Sequence, residues 1–347
     1  MAKILVIRFS ALGDVAMTMP VIATFANKYP QHQITILSRE TFSPLFNISL
    51  PSNVTFKGVD LKHRYRGIKG IFNLFSELKN EHFDFVADLH DVLRTKLLRL
   101  LFWFSGHKCA HINKDRRGKK ELVRFKNKKL VQLKSSFERY QDVFKELGFD
   151  FDLDYNSVIT KNNETLSKAS GDYTKKDNDK WIGIAPFAAH KGKIYPLEKQ
   201  EKVIKILSKD PNVKIFLFGG GKREKEILSN WEKIGDNITS LAGKLTLDKE
   251  ILLMDKLDVM VSMDSGNMHL ASLVNTPVVS IWGATHPFAG FMGWKQAYNN
   301  AIQIDLPCRP CSIYGKKPCI YGDYRCLNNI KEEVIVEKIN SIIYKQR

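Results

Sequence analysis

The stretch that decides the fold is VMVSMDSGNMHLASLVNTPVVSIWG, Val259 to Gly283. A mostly apolar run ends abruptly at Asp264-Ser265-Gly266. His269 lies one turn further on, inside an Ala- and Leu-containing segment, and Pro277 precedes a second apolar run. Short apolar runs bounded by turn residues read as buried strands, and the segment between them as a helix. Strand, tight turn, helix, strand is the unit from which parallel sheets are built. The backbone N–H groups of Ser265 and Gly266, at the helix start, make an anion site, to which Ser265 adds a hydroxyl. Asp264 would repel an anion there, so a cation such as Lys193 is expected to pair with it.

The same alternation extends outward in both directions. Ile4–Ile7, Ile34–Leu37 and Phe85–Ala87 read as strands of a first half. Trp181–Ala185, Lys214–Phe218, Asp258–Ser262 and Val278–Trp282 read as strands of a second, with helices such as Lys199–Ser208 and Lys225–Ile234 between them. Between the halves lies TKNNETLSKASGDYTKKDND, polar and without periodicity, which is linker composition. The expected division is a domain over 1–160, a linker over 161–179 and a domain over 180–347. The last helix, Lys331 to Tyr344, could pack back on the first half. Ligands of such sheets bind beyond the carboxyl ends of the strands, and with two domains the natural place is a cleft between them.

The chain has 347 residues and a formal net charge of +17, an excess that nucleic acid, an anionic membrane or a polyanionic substrate would each explain. Ten Lys/Arg against Asp115 and Glu121 fall between Lys114 and Lys134. They read equally as a solvated face and as a dock for an anion. LRTKLLRLLFWF, Leu93 to Phe104, holds the most lipophilic short run, Leu97 to Phe104, which is too short to span a bilayer. It reads either as a helix on a membrane surface or as core with snorkelling basic ends. No signal-peptide pattern opens the chain, so a cytoplasmic protein is expected.

Three further segments carry candidate chemistry. In RFSALGDVAMTMP, Asp14 sits at a helix start just past the first strand; it reads as a helix cap or as a general base at the strand's carboxyl edge. No G-x-G-x-x-G follows that strand, which disfavours a nicotinamide enzyme. IGIAPFAAHKGKIYP carries Lys193 at a strand end, where a lysine neutralises phosphate or is simply solvated. FLFGGGKREKEIL has three glycines around Gly220, inviting close backbone approach. Its Glu224, in the first turn of a helix, suits the dipole or a ribose.

Taken in order, ILVIRFSALGDVAMTMP, DLHDVLRT (Asp88–Thr95), the K-x-Y-P ending at Pro196, FGGGKRE and MDSGNMHLASLVNTPVVSIWGATHP resemble the heptosyltransferases of lipopolysaccharide core assembly, glycosyltransferase family 9. The resemblance covers nearly the whole length. It implies an α/β GT-B fold of two Rossmann-like domains with a cleft between them, an inverting transfer from ADP-heptose, and an acceptor on the first domain. It implies Asp14 as base and Lys193 on the donor phosphates. Ser265 and Gly266 would hold the diphosphate, flanked by Asp264 and His269. Glu224 falls at the ribose, and Leu245 where backbone meets adenine. Arg8, Ser10 and Arg94 fall on the acceptor side. Departures are Ala188 and Ala189 where hydroxyl residues are usual, Tyr195 for a tryptophan, and Asp88-Leu89-His90-Asp91 for D-x-Q-G; they bear on donor and acceptor identity.

Cys308, Cys311, Cys319 and Cys326 form a tight cluster for which structural zinc, disulfides and a reduced packed loop all remain open. DFDLD, Asp150–Asp154, reads as a connector rather than a metal site. The expectation is a monomer that needs no cofactor or metal. It would take an ADP-sugar and an anionic Kdo-lipid A type acceptor, with peripheral contact to the inner face of the inner membrane. The rivals are a GT-B transferase with another nucleotide-sugar and, from charge alone, a nucleic-acid-binding protein, against which no recognition motif appears.

Overall fold

The computed structural model describes residues 1–48, 50–157 and 173–344. They form two α/β units: Met1–Lys114 with Ser136–Thr160, and Asp115–Ser135 with Lys161–Arg347.

The sheet of the first unit contains β1 (Lys3–Ile7), β2 (Gln33–Arg39), β3 (Val54–Val59), β4 (Phe85–Asp88) and β5 (Lys108–His111), in the order β3-β2-β1-β4-β5. Neighbours are parallel throughout, with Ile4 opposite Ile34 on one side and Phe85 on the other. The second sheet contains β6 (Lys180–Ala185), β7 (Val213–Leu217), β8 (Ile238–Ser240), β9 (Val259–Met263), β10 (Val278–Ile281) and β11 (Ala301–Ile302). It runs β11-β10-β9-β6-β7-β8, again parallel. Parallel strands are covered on both faces, so they need apolar side chains on both. All five residues of β9 and all four of β10 are buried.

Strand order reverses between β1 and β4 in the first sheet, and between β6 and β9 in the second. These are the switch points at which open α/β sheets bind ligands.

Two segments bear on the domain boundaries. The segment Asp115–Ser135 groups with the second unit. Lys128 donates to the carbonyls of Pro307 and Arg309, Leu133 N–H to Phe288, and Lys119 lies 4.9 Å from the Phe291 ring centroid. The terminal helix, Glu332–Ile343, lies on the helix Leu197–Leu207. Its Ile335, Ile339 and Ile343 enter the second core, and Lys199 pairs with Glu332 at 3.2 Å. Of the expected linker, 161–172 lies outside the described residues. Its end is tied to the second unit by Lys175–Asp258 and Lys214–Asp179 pairs, each at 2.8 Å.

Among the described residues no helix is long and apolar enough to cross a membrane.

Candidate active site

The first unit delivers its charged groups where β1 and β4 end. Arg8 follows β1 directly and is buried. Its Nη1 donates to the Leu89 carbonyl at 2.6 Å, and its Nη2 lies 2.8 Å from Asp14 Oδ2. Asp14 is the third residue of the short helix Leu12–Ala16, and Oδ2 also accepts the Ala11 N–H at 3.1 Å. The carboxylate therefore caps its helix and pairs with Arg8 at once. Tyr140, from the helix Ser136–Leu147, donates its hydroxyl to the Asp14 carbonyl at 3.3 Å and sits under the Arg8 guanidinium.

His90 completes this corner, a residue the sequence shows only as a departure from D-x-Q-G. Its Nδ1 accepts the Phe9 N–H and its Nε2 meets Ser10 Oγ, both at 3.4 Å. Burial first, then the nearby Arg8 charge, push its pKa down to about 3. The loop carrying His90 is held by Asp88, fully buried at the end of β4. Asp88 Oδ1 accepts the N–H groups of His90 and Asp91, and Oδ2 accepts from Arg99, all at 2.9 Å. Arg99, which interrupts the apolar run of its helix, is thus required by a buried carboxylate.

Arg8, Ser10 and Asp14 are brought together. Arg94 lies elsewhere in this unit, lining a cavity of about 730 Å³ with Arg39, Lys62, His63 and Arg66 at the ends of β2 and β3.

The second unit delivers Lys193 and Asp264 to its own switch point, from the loop after β6 and the end of β9. Lys193 Nζ lies 2.8 Å from Asp264 Oδ2, and both side chains are largely buried. The pair meets the need for a cation beside Asp264. Ser265 is the N-cap of the helix Gly266–Ser272. Its hydroxyl makes no cap bond; it lies 3.1 Å from Ser262 Oγ. His269 is buried one turn in.

Gly315 was not legible as a site residue. It has φ +73°, and a Cβ there would stand 2.7 Å from Lys193 Cγ. The cysteine-bearing loop therefore lies directly on the Lys193 stem. Arg309 anchors that loop, donating to the carbonyls of Gly283 at 2.6 Å and Thr285 at 2.9 Å.

Glu224 stands in the first turn of the helix Lys222–Glu232, and its Oε2 accepts the Gly220 N–H of the preceding loop at 2.7 Å. Leu245, half-buried, lies in the turn before the helix Leu247–Met254. That turn is tied to the Glu224 helix by Lys244 and the Ser240 N–H on Glu232, each at 3.0 Å. Lys191, near the missing loop hydroxyls, rests 5.1 Å from the Tyr324 ring centroid.

The five cysteines form no disulfide. Among the described residues no group of three or more His, Cys, Asp or Glu side chains is placed to hold a metal ion. Burial pushes the Cys326 thiol up to about 11.

Two parallel Rossmann-like sheets, each with charged groups at its switch point, match solved glycosyltransferase structures. The chain is similar to a family 9 glycosyl transferase of Veillonella parvula, with TM-score 0.76 and 20% identity, covering 99% of this chain and 98% of that one. It is also similar to the Escherichia coli ADP-heptose lps heptosyltransferase II, with TM-score 0.70 and 20% identity over 99% of each. The fold is thus GT-B. Residues 71–324 match the family model described as glycosyltransferase family 9 (heptosyltransferase), and the chain belongs to that family. Lipopolysaccharide heptosyltransferase 1 of Campylobacter coli is 27% identical over 98% of both chains.

Proposed function

We propose that the protein is an inverting glycosyltransferase that moves a heptose, or a related sugar, from an ADP-sugar to the inner core of lipopolysaccharide. The names of its relatives support the substrate class. The observation that carries the reading is the buried Lys193–Asp264 pair beside Ser265 and Gly266, a cation held next to backbone donors where a diphosphate leaves.

In this reading the reaction is one displacement. An acceptor hydroxyl attacks the anomeric carbon, the new C–O bond forms, and the bond to the diphosphate oxygen breaks on the opposite face. Asp14 takes the hydroxyl proton, held in orientation by Arg8. Lys193, the Ser265 hydroxyl and the Gly266 N–H stabilise the departing nucleoside diphosphate. Asp264 positions Lys193, and His269 braces the turn behind it. Glu224 turns from the Gly220 N–H to the ribose, and the backbone at Leu245 faces adenine.

Arg8 and Ser10 orient the acceptor. The cavity around Arg94, in which Arg39, Lys62, His63 and Arg66 outnumber Glu40 and Asp60, takes the anionic groups of a Kdo-lipid A type acceptor. The protein works as a monomer on the cytoplasmic side, in peripheral contact with the inner membrane that holds this acceptor. No nucleic acid partner is required.

The test is a panel of ADP-, UDP- and GDP-sugars with Kdo-lipid A as acceptor, read by mass spectrometry. The expected result is a gain of one heptose mass from ADP-heptose alone. Transfer from a UDP- or GDP-sugar with none from ADP-heptose overturns the donor assignment. Ala188 and Ala189, which supply no hydroxyls in the donor loop, make that arm of the panel necessary.

A further inference from the structure

We propose that the outer faces of two neighbouring helices in the first unit, Gly67–Lys79 and Leu93–Phe104, form a docking surface for an anionic phospholipid bilayer. The proposal gives a location to the membrane contact in the reading above, but its test needs neither donor nor acceptor.

The helix Leu93–Phe104 buries Leu98 and Phe102 in the first core, which accounts for one face only. At about 100° per residue, Leu93, Lys96, Leu100, Trp103 and Phe104 fall within one arc of about 100° on the other face. That arc is in water: Leu93 is 85% exposed, Phe104 72% and Trp103 59%. The helix beside it, Gly67–Lys79, exposes Ile68 and Phe72 one turn apart. The two helices meet where the rings of Phe75 and Phe102 pack edge to face at 5.1 Å. Six large apolar side chains exposed on adjacent helices are more than the scattered apolar residues of an ordinary surface.

Charge selects the occupant. No Asp or Glu occurs from Val92 to Lys114, a stretch that includes Arg94, Lys96 and Lys108. From Leu61 to Asn80 stand Lys62, Arg64, Arg66, Lys69 and Lys79 against Glu77, which is paired with Arg64 at 3.0 Å. Lys96 lies 3.6 Å from Asp91, which precedes its helix. An exposed Trp and Phe among leucines, on two helices that also expose Lys69, Lys79 and Lys96, is the composition that inserts at a headgroup boundary. Each basic residue near an anionic leaflet adds attraction. A second copy fits poorly: a two-fold contact would set each basic rim against itself.

Trp103 supplies its own reporter. The chain has five tryptophans, and Trp181, Trp231, Trp282 and Trp294 are buried. The test is vesicle co-sedimentation of the full chain, with quenching of tryptophan emission by brominated lipid. Vesicles of phosphatidylglycerol and phosphatidylethanolamine are compared with phosphatidylcholine alone. Binding at least tenfold stronger to the anionic vesicles, weakened by salt, is expected. Bromolipid quenching should be lost in Trp103→Ser. Leu100→Glu with Phe104→Glu should reduce binding at least tenfold, and Lys69→Glu with Lys79→Glu severalfold. All these positions are exposed, so unchanged circular dichroism and melting temperature are the control for folding.

Equal binding to both vesicle types, binding unchanged in the Leu100/Phe104 variant, or no quenching overturns the proposal. So does wild-type self-association that the Leu100/Phe104 variant abolishes, in the absence of vesicle binding. Failure of the sugar panel leaves this result standing, and the reverse also holds.

Discussion

Arg8 holds Asp14 from beneath: its guanidinium spans from the Leu89 carbonyl, 2.6 Å from Nη1, to the Asp14 carboxylate, 2.8 Å from Nη2. One arginine thereby links the ends of β1 and β4 to the residue proposed as base. The same carboxylate oxygen accepts the Ala11 N–H, so the orientation of Asp14 is fixed twice.

Asp14→Ala should lower kcat by about 10²–10⁴ while leaving ADP affinity within about twofold. Arg8→Lys should recover little of the loss seen in Arg8→Met, because an ammonium cannot make both contacts of the guanidinium fork. Steady-state kinetics with ADP-heptose and isothermal titration with ADP read the two effects separately. Full turnover in Asp14→Ala removes the base assignment.

The Lys193–Asp264 pair is largely buried, so removing one partner strands the other. Lys193→Ala should weaken ADP binding about tenfold or more and lower kcat through loss of leaving-group stabilisation. Asp264→Asn keeps the shape but leaves the ammonium without its counter-charge, at about 1–3 kcal/mol in stability. Denaturant melts check that value. Donor binding unchanged in Lys193→Ala excludes the lysine from the phosphate site.

Gly315→Ala tests whether the cysteine loop sets the position of Lys193. Two costs coincide, a Cβ 2.7 Å from Lys193 Cγ and a positive φ of 73°. About 1–2 kcal/mol of destabilisation is expected from the backbone and the contact together. The donor KM should rise further than in Gly322→Ala, where φ is also positive but a Cβ meets nothing within 4 Å. Equal KM values for the two variants would show that the loop does not position the lysine.

His90 gives a dependence on pH with a definite sign. Its pKa in the folded chain is pushed down to about 3 from 6.5, so the unfolded chain takes up a proton first as the pH falls. The stabilisation is complete above about pH 6.5 and erodes as the pH drops from there toward 3. His90→Gln should flatten this part of the stability curve, measured as the difference between the two proteins in urea melts at pH 7 and pH 4.5. Parallel curves would mean that His90 titrates normally.

The strands that sequence patterning finds and those it misses divide by position. β3, β5, β8 and β11 escape it, and these are the four edge strands of the two sheets. β3 buries only its end residues and β5 only Ala110, while β8 and β11 are three and two residues long. A strand with one neighbour needs fewer apolar side chains, so its signal is weak. The grouping of Asp115–Ser135 with the second unit is illegible for a related reason: its lysines report charge, whereas the grouping rests on contacts such as Lys128 with the carbonyls of Pro307 and Arg309.

By itself the sequence determined the βαβ alternation and the turn at Asp264-Ser265-Gly266, and it pointed to Arg8, Asp14, Lys193 and Asp264 as candidates. These follow from local rules: apolar periodicity, turn chemistry, and polar groups set where strands end. Only the tertiary structure decided that Arg8 grips Asp14, that His90 lies buried against Ser10, and that Gly315 lies on Lys193. It also decided that the Leu93–Phe104 helix turns a whole apolar face to water. Those relations join residues far apart in the chain, and they are set by strand order and packing, which no local pattern encodes.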